Sequence, residues 1–151
     1  MQARKIAALS DNIAVKIPCH PHYYTVIKKL IEEGITINIT LVFSLAQGLM
    51  MAKLGVHYIS PFVGRLDDIG SNGIELIHQL RHMLDWNGFE TELLAASIRD
   101  IPHFEKVIMA GADIVTLPVA VFEQSLMHQL TDKGMEQFDH DWKKLNISRF
   151  P

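Results

Sequence analysis

A lysine lies in the middle of a short apolar segment near the start of the sequence, Asn12–Pro18. The β-branched residues Val15 and Ile17 flank Lys16, and the run is typical of a parallel strand covered on both faces. Lysine is rarely buried without a partner, and desolvation lowers the pKa of its amine and frees it to attack carbonyl carbon. The segment therefore predicts a buried, nucleophilic amine that forms an imine with a ketone or aldehyde. The alternative is an edge-strand lysine that extends its amine into water.

Hydrogen-bonding side chains occur in the next two predicted strands. Asn38 and Thr40 belong to one of them and Ser60 to the other. An amide and two hydroxyl groups at the end of a sheet could position the hydroxyl groups of a sugar. The alternative is that they are ordinary strand residues.

Two arginines follow strand ends in different loops. Arg65 and Arg99, with Ser97 beside the second, could bind a phosphate group, because the guanidinium fork matches phosphate geometry. A lysine, a pair of arginines and hydroxyl-binding side chains together predict carbon–carbon bond chemistry on a sugar phosphate. Arg65 could instead pair with Asp67 or Asp68, and Arg99 with Asp100 or Glu105.

Strands and helices alternate along the chain in a way that would position these residues. The predicted strands span residues 12–18, 35–42, 56–63, 92–97 and 113–117, and the predicted helices span 2–10, 21–33, 45–54, 74–86, 101–110, 119–127 and 130–142. A polar loop is predicted over 65–73. Five βα repeats indicate a parallel sheet, and in a (β/α) barrel the functional residues lie at the carboxyl ends of the strands. No Gly-x-Gly-x-x-Gly motif follows the first strand, so nothing supports a dinucleotide-binding fold.

The bulk composition narrows the class of protein. The chain has 151 residues, 48% of them hydrophobic and 21% charged, which predicts one globular domain over residues 1–151. A formal net charge of -3 with scattered basic residues argues against a nucleic-acid or polybasic membrane surface. No signal peptide and no run long enough to span a bilayer is evident, and the single cysteine, Cys19, suits the cytosol, so a cytoplasmic location is expected.

The histidines give no metal motif. His78 and His82 are four residues apart but lack the glutamate of a His-Glu-x-x-His site, so a solvated helix face is the better interpretation. His20 follows the lysine strand and could face the site. Cys19 has no evident catalytic or metal-binding companions, so we expect it to be structural.

Five motifs occur in order: VKIP at 15–18, GITINITLVFSLAQ at 34–47, ISPFVGR at 59–65, AASIR at 95–99 and GADIVTLP at 111–118. Together they resemble the transaldolase family, in its small type that includes the fructose-6-phosphate aldolases. The resemblance implies an α/β fold, a (β/α)8 TIM barrel of class I aldolase type, of which this chain would supply five βα units corresponding to strands 4 to 8. It also implies a homo-oligomer, a role in the pentose phosphate pathway and no cofactor.

The resemblance assigns a role to each candidate residue. Lys16 would be the Schiff-base lysine, and the residues that bind the substrate or its phosphate would be Asn38, Thr40, Ser60, Phe62, Arg65, Ser97 and Arg99. Phe62 stands where the aldolase branch typically has tyrosine, which favours transfer of a dihydroxyacetone unit from a ketose phosphate to an aldose phosphate. The alternatives are a fructose-6-phosphate aldolase and a non-catalytic, truncated sugar-phosphate-binding or assembly fragment.

Two departures from the family pattern stand out. His20 occupies a position where the family has threonine. Family members also begin with three further βα units that supply an aspartate, an asparagine and a glutamate or glutamine, and none of these is expected here. Five strands of eight cannot close a barrel, so the strands at 12–18 and 113–117 are expected to be edges.

Overall fold

The structure is a computed structural model that describes residues 2–145. Within that range five parallel strands and eight α-helices form an α/β fold. The strands are β1 Val15–Pro18, β2 Ile37–Val42, β3 Tyr58–Pro61, β4 Glu92–Ala95 and β5 Ile114–Val115. The helices are α1 Gln2–Ala7, α2 Tyr24–Glu32, α3 Leu45–Leu54, α4 Val63–Asp67, α5 Gly73–Asn87, α6 Ile101–Met109, α7 Val119–Ser125 and α8 Gln129–Lys144, and a 3-10 turn covers Pro21–Tyr23.

The described chain divides into two compact units, one reaching to Leu117 and the other beginning at Pro118. The first holds the whole sheet and α1 to α6, and the second holds α7 and α8. No helix among residues 2–145 combines the length and apolarity that a bilayer crossing requires.

The sheet follows the order of the sequence, β1-β2-β3-β4-β5, and every pairing is parallel. This confirms the five strands that the sequence predicts and the positions of the first and last as edges of the described sheet. Sequential parallel strands joined by helices are consistent with part of a (β/α) barrel.

The two faces of the sheet have different chemistry. In register, Val15 pairs with Ile37, and Ile39 pairs with Ile59, and these buried side chains join the core with helical residues such as Leu30 and Leu80. Because side chains alternate along a strand, the neighbouring positions face the other way. We call that second side, which carries Lys16 in register with Asn38, and also Ser60, the site face.

Helix ends follow local sequence cues. Ser44 caps α3 by accepting a 3.2 Å hydrogen bond from the backbone N–H of Gln47. Asn72 and Asp100 cap α5 and α6 in the same way.

The segment after β3 differs from the prediction. The strand ends at Pro61, short of Val63, and a short helix, α4, replaces the first part of the predicted polar loop. Val63 and Leu66 are three residues apart and both are buried, so one helical turn places both in the core. Parallel pairing continues one residue past β3, because the backbone N–H of Phe62 bonds the carbonyl of Val42 and that of Val63 bonds the carbonyl of Ala96.

Candidate active site

The candidate residues lie on neighbouring strands and in the segments that follow them. Lys16 lies on β1, Asn38 and Thr40 on β2, and Ser60 on β3. Phe62 follows β3 directly, Arg65 lies within α4, and Ser97 and Arg99 follow β4. Lys16 and Asn38, in register with each other and with the first residue of β3, are the second residues of their strands, and the other six candidates lie nearer the carboxyl ends.

The centre of the site face is a buried polar pair. Ser60 is fully buried, Asn38 is 8% exposed, and the Ser60 hydroxyl donates a 2.7 Å hydrogen bond to Asn38 Oδ1. Thr40, on the same face of β2, is 9% exposed. Because the Asn38 oxygen is engaged, its NH2 group is left as the donor toward the site face.

The ring of Phe62 lies next to two cationic side chains. Lys16 Nζ is 5.6 Å from the ring centroid, and Arg65 Cζ is 4.9 Å from it. A cation within about 6 Å of an aromatic face is attracted by the ring quadrupole. The ring of Phe43 packs edge-on against Phe62, with 6.1 Å between centroids. One aromatic side chain therefore places the amine and a guanidinium on the same small surface.

The prediction that Lys16 is buried is wrong for this chain. Burial alternates along β1, so that Val15 and Ile17 are buried while Lys16 and Pro18 are exposed. The physical reason is that helices cover only one face of β1, and the strand is an edge of the described sheet. Lys16 lines an open groove of about 300 Å³ together with Tyr23 and other residues.

The two arginines have different partners from those considered at first. The guanidinium of Arg99 pairs with the carboxylate of Asp68 on the neighbouring loop, and Asp100 caps α6 instead. Arg65 has no carboxylate within ion-pair distance among residues 2–145, so its described contact is the Phe62 ring. Ser97 has a left-handed backbone, with φ of 68°. Arg65, Ser97 and Arg99 are called the phosphate clamp below.

Gly64 allows α4, which carries Arg65, to lie against the loop that carries Ser97 and Arg99. A Cβ at this position would lie 2.2 Å from the carbonyl oxygen of Ser97 and 2.7 Å from Nε of Arg99. No side chain other than hydrogen fits in that space, so α4 approaches the loop after β4 directly. The position of Gly64 next to Arg65 is the sequence signal that could have shown this close approach.

The remaining candidates lie outside this arrangement. His20 Nδ1 accepts a 3.3 Å hydrogen bond from the backbone N–H of His22, so its described role is to cap the 3-10 turn. The ring of His82 stacks on Trp86. In the described part of the chain, no three His, Cys, Asp or Glu side chains are placed to hold a metal ion.

Cys19 lies behind the site and is 8% exposed. Burial raises the pKa of its thiol, and the hydroxyl of Tyr24 lies 4.0 Å from the sulfur. Burial likewise raises the pKa of the Tyr24 phenol. A buried cysteine in this environment behaves as a small hydrophobic side chain, as expected.

Known proteins match nearly the whole length of the chain. A model of the transaldolase/fructose-6-phosphate aldolase family matches residues 1–149. The chain is 52% identical to a "Probable transaldolase" of Lactiplantibacillus plantarum, covering 98% of this chain and 68% of that protein. A relative of the same name from Leptospira biflexa is 47% identical, covering 94% and 66%. The chain belongs to the transaldolase/fructose-6-phosphate aldolase family, and it spans about two thirds of the length of these relatives.

Solved structures give a more distant likeness. A mutant flavocytochrome b2 with benzoylformate superposes with a TM-score of 0.52 at 21% identity, covering 62% of this chain and 26% of that one. A likeness at this identity concerns the fold alone.

Proposed function

We propose that this chain contributes the imine-forming lysine and the phosphate clamp of a transaldolase, which transfers dihydroxyacetone from a ketose phosphate to an aldose phosphate. The observation that carries the proposal is the Phe62 ring, 5.6 Å from Lys16 Nζ and 4.9 Å from Arg65 Cζ, beside the buried Asn38–Ser60 pair. An amine and a guanidinium on one ring fit a substrate with a carbonyl group toward one end and a phosphate at the other. Family membership supports the same activity.

The proposed chemistry begins with addition of neutral Lys16 Nζ to the ketose carbonyl, and loss of water gives an imine. The C4 hydroxyl then gives up its proton, the C3–C4 bond breaks, and its electron pair enters the imine to form an enamine. The aldehyde leaves. The enamine carbon adds to the carbonyl of an aldose phosphate, whose oxygen takes up a proton, and water hydrolyses the new imine and frees Lys16.

Each remaining residue has a role in this scheme. The Asn38 NH2 group and the hydroxyl groups of Thr40 and Ser60 would bind the hydroxyl groups of the dihydroxyacetone unit. The phosphate clamp would hold the phosphate of donor and acceptor in turn. Phe62 would place an apolar ring beside the enamine, where it offers no hydroxyl to activate water, which favours transfer over release.

The finer structural predictions belong to this proposal. We place the five strands as strands 4 to 8 of an eight-stranded barrel of class I aldolase type. Residues 1–151 as one domain, a homo-oligomeric state, a cytoplasmic location and the pentose phosphate pathway remain predictions of the same interpretation.

A second candidate function has its own support. The exposure of Lys16 on an edge strand is what a sugar-phosphate-binding chain without turnover would show. The fructose-6-phosphate aldolase alternative differs only in releasing free dihydroxyacetone.

Turnover assays separate these functions. Incubation with fructose 6-phosphate and an aldose phosphate acceptor should give a new ketose phosphate that disappears in Lys16→Met and persists in Lys53→Met, a change at an exposed lysine of α3. Free dihydroxyacetone without acceptor would select the aldolase. Sugar-phosphate binding with no product would select the binding chain and contradict the transferase.

A further inference from the structure

We propose that His103 is a positioning residue for the phosphate clamp, because its ring joins the segment that carries Arg99 to the helix that carries Arg65. This inference rests on the proposed function, which assigns both arginines to phosphate binding.

The first contact fixes the Arg99 segment. The backbone N–H of Arg99 donates a 3.3 Å hydrogen bond to Nδ1 of His103. His103 itself is held in the first turn of α6, where its backbone N–H donates a 2.8 Å bond to the Asp100 carboxylate. The His103 ring therefore extends back from α6 to the loop that precedes this helix.

The second contact reaches α4. Nε2 of His103 lies 3.4 Å from Oδ2 of Asp67, close to the carboxylate but without a hydrogen bond. The other carboxylate oxygen of Asp67 accepts a 2.9 Å bond from the N–H of Gly73, which ties α4 to the start of α5. Since Asp67 follows Arg65 by two residues on α4, the imidazole spans the distance between the two arginine-bearing elements.

The junction around His103 is shielded from water at the ring and open beside it. The His103 side chain is only 10% exposed, so both ring nitrogens are largely shielded from water. A cavity of about 410 Å³, lined by residues that include Asp67, Arg99 and His103, opens at the junction. The imidazole therefore spans the two elements beside the direct contact that Gly64 makes with the Ser97 loop.

The same geometry defines which tautomer a neutral His103 ring adopts. Because Nδ1 accepts from Arg99, a neutral imidazole carries its proton on Nε2, the nitrogen that faces the Asp67 carboxylate. One ring nitrogen thus bonds the Arg99 segment, and the other faces the Asp67 carboxylate of α4. His103 contacts the backbone of Arg99 and no proposed substrate-binding atom, so its role is positioning.

Two substitutions distinguish the effect of the His103 hydrogen bond from the effect of the volume of its side chain. In His103→Asn the amide oxygen can take the place of Nδ1 as acceptor, whereas in His103→Gln the amide group lies where Nε2 was and the Arg99 N–H loses its partner. Binding of inorganic phosphate to the full 151-residue chain is measured by calorimetry. We expect His103→Gln to weaken it about three- to tenfold, the effect of one hydrogen bond, and His103→Asn to stay within about twofold of the unsubstituted chain. His103→Leu also lacks the acceptor and replaces the glutamine variant if that variant fails to fold. His103→Gln and His103→Leu are called the loss variants.

The outcomes distinguish this inference from the proposed function. Borohydride trapping of dihydroxyacetone, which has no phosphate, should be equal in all three variants and the unsubstituted chain. Unchanged phosphate binding in the loss variants, or equal weakening in the asparagine and loss variants, would overturn the role of His103 and leave the function standing. If the unsubstituted chain binds no phosphate, the clamp and this inference both fall, while trapping still reports on Lys16.

Discussion

The hydroxyl of Ser60 donates a 2.7 Å hydrogen bond to the amide oxygen of Asn38 between β3 and β2, where both side chains are shielded from water. This bond fixes which way the amide of Asn38 is turned. Its NH2 group is then the donor on the site face, in register with Lys16 on β1. A substrate bound to Lys16 would therefore face the Asn38 NH2 group in a fixed orientation.

Removing the Ser60 hydroxyl should affect both stability and binding. In Ser60→Ala the buried Asn38 oxygen loses its partner, which should lower the free energy of unfolding by about 1–3 kcal/mol. The amide also becomes free to turn, so the KM for the ketose donor should rise. Denaturant unfolding and initial rates measure the two effects.

Thr91→Val is the matched control for this prediction. The Thr91 hydroxyl is buried and donates a 2.7 Å bond to the carbonyl of Val56, just before β4 and at the opposite end of the sheet. Thr91→Val should lower the free energy of unfolding without changing the KM for the ketose donor. Equal KM values in the two variants would argue against an orienting role for Ser60.

A methyl group at Gly64 should separate the halves of the phosphate clamp. The added Cβ would meet the Ser97 carbonyl at 2.2 Å, so α4 or the loop after β4 must move. Gly64→Ala should therefore weaken phosphate binding at least about tenfold, since a clamp group is displaced. Gly134→Ala is the control: no atom lies within 4 Å of its new Cβ, and alanine should stabilise α8 by about 0.5–1 kcal/mol. Phosphate affinity that survives in Gly64→Ala would contradict the close approach.

The aromatic character of Phe62 should matter more for phosphate affinity than the volume of its side chain. Phe62→Leu keeps an apolar side chain but removes the π face near Lys16 and Arg65, a loss of about 0.5–1 kcal/mol for each exposed cation contact. Phosphate affinity should fall about two- to fivefold, as calorimetry would show. Phe43→Leu removes the neighbouring ring, for which no cation contact is described, and should leave the affinity close to that of the unsubstituted chain. The reverse order of effects would contradict the role of Phe62.

Cys19 should react slowly in the folded chain. Burial raises the pKa of the thiol, so the reactive thiolate is scarcer at a given pH than in an unfolded chain, and the sulfur is shielded as well. Modification by a thiol reagent at pH 8 should be slow in buffer, fast in urea and absent in Cys19→Ser. A native rate that matches the rate in urea would show that β1 and α2 do not cover this cysteine.

The βα pattern and the strand-end residues could be predicted because they depend on local periodicity. The alternation of strand and helix patterns predicts all five strands, and the carboxyl ends of parallel strands meet at one edge. Asn38 and Ser60 lie on β2 and β3, the strands predicted to carry them, whereas Arg65, predicted to lie in a loop, lies in α4.

Features that depend on contacts between distant segments could not be predicted in this way. The exposure of Lys16 follows from what covers β1, and α4 forms because Val63 and Leu66 are both buried in the core. The contact between Gly64 and Ser97 joins residues 33 positions apart. The pairing of Arg99 with Asp68 joins residues 31 positions apart.

Borohydride trapping tests the central claim most directly. The full chain is incubated with dihydroxyacetone and borohydride, and the modified peptide is identified by mass spectrometry, with Lys53→Arg as a control variant that should still be labelled. An imine on Lys16 predicts one covalent adduct on the peptide that contains Lys16, and its loss in Lys16→Arg. A folded chain with no adduct, or with label spread over the exposed lysines and unchanged in Lys16→Arg, would contradict the proposed function.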